Sequence, residues 1–154
     1  MNKRQIISTN NKRKTITRLI GQFGCKCYRY KGKPRLAIKH LMNVKSGECI
    51  GALYREDIGY IDIVWGKVTD SVKHTGFGLS HIIDKHGKTI KQLGFKIEDF
   101  IPIVVQYGNL YLSKNKEEYI LESQMFRVII ERYAYGKEKQ WLLTSFDLQK
   151  RPKQ

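Results

Sequence analysis

Phe126-Arg127-Val128-Ile129-Ile130-Glu131-Arg132-Tyr133-Ala134-Tyr135, then Gly136-Lys137-Glu138-Lys139, then Gln140-Trp141-Leu142-Leu143-Thr144-Ser145-Phe146 is the stretch on which the fold turns. The β-branched run Val128-Ile129-Ile130 predicts a central strand. Gly136–Lys139 has the composition of a hairpin connection, and the residues after it return as a second strand. Working outward, Leu110–Ser113 predicts one more strand on the C-terminal side. Upstream, Glu48–Arg55 and Tyr60–Trp65 predict two strands connected through Gly59; in the second, Ile61, Ile63 and Trp65 alternate with Asp62 and Val64.

Two helix-like runs separate these groups. The first, Leu79 to about Lys85, opens behind Gly76-Phe77-Gly78 and closes with the C-terminal signature Lys85-His86-Gly87. The second, Lys96–Tyr107, carries Pro102 in its first half, which a start near Asp99 tolerates better. Leu36-Ala37-Ile38 with Leu41-Met42 predicts a short helical or turn-like piece, and Gly66–Thr75 a polar loop. The expected architecture is α+β, with helices packed on one face of a twisted antiparallel β-sheet. No internal repeat is visible.

The chain has 154 residues, enough for one domain, and 41% apolar residues can build its core. Lysine and arginine number 29 against 14 acids, a net +15, and the surplus is unevenly placed. Residues 1–47 hold 13 basic side chains and no acid; the rest of the chain is nearly balanced. Such asymmetry points to a polyanionic partner, most economically nucleic acid. Three segments follow: a basic arm over 1–35, a domain over 36–148 and a basic tail over 149–154.

Within the arm, Arg18–Pro34 interleaves aromatic rings with cations. Lys26, Tyr28, Arg29, Tyr30, Lys31 and Lys33 combine phosphate pairing with base stacking, as sequence-tolerant RNA contacts do; Lys139, entering the last strand, is a further candidate. The alternative is a surface ribbon whose rings pack down while its cations face water. Met1–Thr17 has little to bury, and disorder is its plainest reading. Ile6-Ile7 with Ile16, Leu19 and Ile20 make only a weak apolar stripe, so a membrane-surface role ranks third. The first twenty residues lack the apolar run of a signal peptide, and the apolar stretch around Phe100–Val105 is far too short to span a bilayer. The expectation is a cytoplasmic protein with free thiols, not a membrane protein. Cys25, Cys27, His40 and Cys49 are chemically legal zinc ligands, but their spacing is not a common structural zinc pattern. No metal and no cofactor is expected.

The histidines His40, His74, His81 and His86 are the natural proton carriers at neutral pH. His81 falls in the opening turn of its helix, where free amides would favour a nearby phosphate; against this stands a core histidine among Leu79, Ile82 and Ile83. His86 lies about 140° further round, off the face of His81, and His86-Gly87 also reads as an ordinary helix end. Gly76-Phe77-Gly78 lacks what a phosphate-binding loop requires. If the polyanionic partner is RNA and it is cut without metal, the chemistry requires a base for the 2′-hydroxyl, an acid for the leaving 5′-oxygen and a cation for the phosphorane. Arg127 is the choice for that clamp, because a guanidinium pairs bidentately with phosphate.

Three separated motifs carry a resemblance: Gly59-Tyr60-Ile61-Asp62-Ile63-Val64-Trp65-Gly66, Gly76-Phe77-Gly78-Leu79-Ser80-His81-Ile82-Ile83-Asp84-Lys85-His86, and Trp141-Leu142-Leu143-Thr144-Ser145-Phe146. Together, over roughly residues 36–148, they resemble the phage-associated barnase–EndoU–colicin–RelE-like nuclease family, found at the C-termini of phage head-morphogenesis proteins and in polymorphic toxins. The resemblance implies a metal-independent, toxin-like endoribonuclease acting on RNA such as tRNA, with a cognate inhibitor or immunity protein as a conceivable partner. It implies that His81 is catalytic, that His86 is a second functional position, and that Thr144 and Ser145 line the site. Those two neighbours point to opposite faces of a strand, so only one should reach the helices. The rival class is a nucleic-acid-binding or phage structural module that keeps the fold without the chemistry.

Overall fold

The computed structural model describes residues 20–21, 23–124 and 126–147. At its centre β9 (Phe126–Ala134) and β10 (Lys137–Asp147) form the expected hairpin. The connection is shorter than the sequence suggests. Tyr135 and Gly136 alone make the turn, with φ of 51° and 79°, the two left-handed residues of a tight hairpin whose twist matches its strands. Lys137-Glu138-Lys139 therefore belongs to β10.

Among the described residues eight strands form one sheet in the order β1-β2-β3-β4-β10-β9-β8-β7. The others are β1 (Ile20–Gly21), β2 (Gly24–Cys27), β3 (Glu48–Arg55), β4 (Gly59–Val64), β7 (Asn109–Leu112) and β8 (Glu118–Glu122). The architecture is α+β, as expected, but the sheet is mixed: β2–β3 and β4–β10 run parallel. Each parallel pair is joined by chain that crosses the helical layer, which returns a strand to the same end. Strand β8 has no counterpart in the sequence reading, since glutamates at both ends of Glu118-Tyr119-Ile120-Leu121-Glu122 mask its apolar centre.

Among the described residues three helices lie on one side: α1 (Pro34–Val44), α2 (Gly78–Gln92) and α3 (Ile97–Tyr107). Ala37, Ile38 and Leu41 of α1, Leu79, Ile82 and Ile90 of α2, and Phe100, Ile101 and Val104 of α3 join Leu53, Ile61, Ile63, Val128, Ile130 and Leu142 of the sheet in one core. The expected turn-like piece is thus a complete helix, with Pro34 in its first turn, where a missing amide costs nothing. Helix α2 does not end at His86-Gly87. Gly87 is helical, and the left-handed glycine that follows the helix is Gly94, with φ of 88°. Pro102 sits inside α3. The expected loop Gly66–Thr75 is largely a hairpin, β5 (Lys67–Asp70) with β6 (Thr75–Phe77), packed beside α2.

The segment read as an arm supplies β1 and β2 to the sheet edge. The expectation of disorder for residues 1–17 and the basic tail at 149–154 lie outside the described residues.

Candidate active site

The site begins with a glycine. At Gly78, φ is 80°, and an added Cβ would lie 2.8 Å from the carbonyl oxygens of both Val64 and Trp65. Only glycine lets the chain pass so close to the end of β4 before it coils. The Ser80 amide then donates to the Trp65 carbonyl at 2.8 Å, and Gly78 through Ile82 are all buried. The opening turn is therefore seated against the sheet; the Ser80 amide is not free for a phosphate, contrary to the reading of this turn as an open anion site.

His81, 4% exposed, has no partner for its buried Nδ1. Burial holds the ring below the ordinary histidine value, and the Lys85 charge adds to this; Asp84 opposes it and His74 reinforces it. Lys85 and Asp84 follow His81 at i+4 and i+3, the spacing that brings side chains onto one helix face. Burial also lowers Lys85. His74, in the β5–β6 turn, places Nδ1 3.0 Å from Asp84 Oδ2. A carboxylate in this position fixes the orientation and tautomer of the imidazole. One buried histidine, one carboxylate-held histidine and one lysine thus gather where the hairpin meets α2.

The other expected catalytic residues are distributed differently. His86 is 4% exposed, its Nε2 is 2.8 Å from the Ser145 carbonyl oxygen, and its ring stands edge-on to Phe126 at 5.7 Å. It clamps α2 to β10 in the core. Ser145 pairs with Val128, a helix-side core residue, so its side chain faces the helices; Thr144 pairs with Ile129 on the opposite side. A register irregularity between Leu142 and Thr144 accommodates the change. The hydroxyls of Ser80, Thr144 and Ser145 are buried without partners. Arg127 lies between Phe126 and Val128, both in the helix-side core, and so points to the opposite side, where it is ion-paired with Glu122. It is not gathered with His81.

That opposite side carries its own features. Phe23, Phe77, Tyr133, Trp141 and Leu143 line a cavity of about 310 Å³ with Glu131 in its wall. Burial and the neighbouring Glu118 and Glu117 raise Glu131 above the ordinary carboxylate value, against weaker support from backbone amides. Phe77 also caps α2, so the cavity borders the start of the helix that carries His81. Lys139 is committed to Glu48 and Asp62. Burial opposes its charge, and the two carboxylates outweigh it, holding the ammonium above its ordinary value.

Of the proposed RNA-contact residues, Tyr28, Arg29 and Lys33 are exposed. Tyr30 packs against the core and beside His40 at 5.2 Å, Lys31 Nζ lies 4.4 Å from the centre of the Tyr60 ring, and Lys26 is in β2, paired with Glu48. Cys27 and Cys49 are neighbours across β2–β3, but the four zinc candidates do not converge: no group of three or more such residues among the described ones could hold a metal ion. No helix among the described residues is long and apolar enough to cross a membrane.

The sequence reading missed the His74–Asp84 pair. Asp84 and Lys85 were legible as helix-face neighbours of His81, but nothing local signals that a polar turn folds back onto them.

Helices layered on one side of a mixed sheet, with ionisable groups collected on one helix, define an α+β domain. The model of the phage-Barnase-EndoU-ColicinE5/D-RelE like nuclease family matches residues 52–152, and the chain belongs to this family. The match includes His74, His81, Asp84 and Lys85 and leaves β1, β2 and α1 outside it. No curated protein and no solved structure matches the chain.

Proposed function

We propose that the chain is an endoribonuclease that cleaves RNA through the substrate's own 2′-hydroxyl, without metal. The observation that carries this reading is the pairing of a histidine disposed to be neutral, His81, with a second, His74, oriented by Asp84. Neutral His81 takes the proton of the 2′-hydroxyl, whose oxygen attacks phosphorus as the bond to the 5′-oxygen breaks. His74, protonated, returns a proton to that leaving oxygen. Lys85 faces the negative charge of the phosphorane. The products are a 2′,3′-cyclic phosphate and a 5′-hydroxyl. Lys85 thus takes the part expected of Arg127, and His74 that expected of His86. Exposed Tyr28 and Arg29 and the ring-lined cavity supply surfaces for stacking bases, and the excess of positive charge supplies affinity for phosphate.

Family membership supports a nuclease; the restriction to RNA, including structured RNA such as tRNA, and a toxin role in a phage setting with a cognate inhibitor are part of the proposal. The burial of His81 gives the rival, a nucleic-acid-binding module without chemistry, its footing. The decisive experiment incubates purified protein with total RNA in EDTA and reads the new ends. Cyclic phosphate ends are expected. Cleavage that requires magnesium and leaves 5′-phosphates refutes the mechanism, and binding without cleavage in either buffer establishes the rival.

A further inference from the structure

Two thiols lie apart from the proposed catalytic groups. Cys27, half-buried, ends β2, and Cys49, fully buried, is its direct partner in β3. Paired residues of adjacent strands project to the same side of a sheet, and their Cα separation falls within what a disulfide spans. Both side chains pack against the same core, and Cys27 lies near enough to Cys49 to oppose its ionisation. Cys49 Sγ also lies 3.8 Å from the Ala37 carbonyl oxygen, which fixes its direction. The third thiol, Cys25, is exposed two residues away on the same strand.

The strand that Cys27 occupies is weakly held. β2 meets β3 through two paired positions, Lys26 with Glu48 and Cys27 with Cys49, and among the described residues only the two-residue β1 lies beyond it. Yet β2 leads directly into Tyr28, Arg29, Lys31 and Lys33, the exposed basic and aromatic stretch. A covalent bond at one of the two pairings would govern how firmly that stretch is presented.

We propose that Cys27 and Cys49 form a reversible disulfide under a peroxide-class oxidant, a modification site that staples the sheet edge and the basic stretch after it. The Cys27 thiol gives up its proton and its sulfur attacks a peroxide oxygen; the oxygen–oxygen bond breaks, and the departing hydroxide takes up that proton, leaving a sulfenic acid and water. The Cys49 sulfur then attacks the Cys27 sulfur, the S–S bond forms, and the sulfenic oxygen leaves as a second water with the Cys49 proton. Two thiols are oxidised by two electrons and one peroxide is reduced. The order of the steps follows from burial: burial, helped by Cys27, pushes the Cys49 thiol up to about 12, so peroxide meets the half-buried Cys27 first, and the part of that elevation owed to a charged Cys27 lifts once Cys27 is a neutral sulfenic acid. The ring closed by the bond contains the whole of α1.

The test treats the full chain with hydrogen peroxide, blocks remaining thiols and maps linked peptides by mass spectrometry without reductant. A Cys27–Cys49 peptide is expected, together with a melting-temperature rise of about 5 °C or more that dithiothreitol reverses. Cys25→Ser should preserve both effects. Cys27→Ser, at a half-buried position that need not disturb the core, should abolish both. A predominant Cys25–Cys27 link, a Cys25-linked dimer, or Cys27 and Cys49 that both remain free for alkylation after denaturation overturns the proposal. So does a Cys27–Cys49 link that leaves the melting temperature unchanged.

Discussion

His81 and His86, five residues apart on one helix, separate chemistry from packing. If His81 moves a proton in the rate-limiting step, His81→Ala should lower the cleavage rate on the order of 10²–10⁴-fold while the protein stays folded. His74→Ala and Asp84→Asn should both slow cleavage, the second less, because it disturbs the orientation of the second ring and leaves the ring in place; rates measured beside melting temperatures check this. His86→Ala should instead cost roughly 2–4 kcal/mol of stability, since it empties a core position and leaves the α2–β10 clamp unmade. Its cleavage rate per folded molecule should stay near that of the parent. The pH dependence follows from the depressed basicity of His81. A general base works when neutral, so the acid limb of kcat/KM should fall below the ordinary histidine range. The same ring resists protonation when folded but accepts a proton normally when unfolded. Stability should therefore fall as pH drops below about 6.5 and level off once the folded ring is also protonated. Melting curves between pH 7 and 4.5 on the parent and His81→Gln should show a shallower fall in the variant.

Helix α2 explains both the success and the failure of reading these elements from sequence. Its start was legible, because Gly76-Phe77-Gly78 before an apolar run signals a helix entry. Its end was not: Lys85-His86-Gly87 has the composition of a helix terminus, yet tertiary packing of His86 and Ile90 carries the helix through Gly87 to Gln92. Strand β4 was legible through the alternation of Ile61, Ile63 and Trp65, and β9 through its β-branched run Val128-Ile129-Ile130. The partner of His81 was hidden, because His74 reaches Asp84 only through the folding of the β5–β6 hairpin, a long-range event with no local pattern. The two glycines of α2 make opposite predictions. Gly78→Ala puts a Cβ against two carbonyl oxygens in a left-handed conformation, so it should destabilise by about 1–3 kcal/mol and displace His81. Gly87→Ala adds a methyl at ordinary contact with Ile83, at 3.4 Å, within a regular helix, and should stabilise by roughly 0.5–1 kcal/mol. Thermal denaturation with parallel cleavage assays distinguishes the pair.

Across the whole molecule, positive charge and the proposed chemistry are separated. The family match begins at residue 52, after the last of the 13 unopposed basic residues, so the catalytic domain and the charge surplus occupy different parts of the chain. Removing residues 1–19, which hold six basic side chains and no acid, should weaken RNA binding and flatten the slope of log affinity against log salt. Cleavage of RNA at saturating concentration should persist. Affinity titrations at several salt concentrations test this; an unchanged slope would assign these residues to a partner other than RNA.

Beyond the β1–β2 edge, the sheet is two antiparallel units laid side by side, β3–β4 and β7 to β10, whose seam is a parallel contact registered at Trp141 and Asp62. Within each unit, neighbours in space are also neighbours in sequence, so each can assemble through short loop closures. The seam cannot: it joins residues separated by two helices and five strands, and its loop-closure entropy is lost before its contacts form. Docking of the two halves is then the late, slow event in folding. Until that docking is complete, the unpaired edges of β4 and β10 are open to pairing with other chains, which makes Lys137–Asp147 decide whether the protein folds or aggregates.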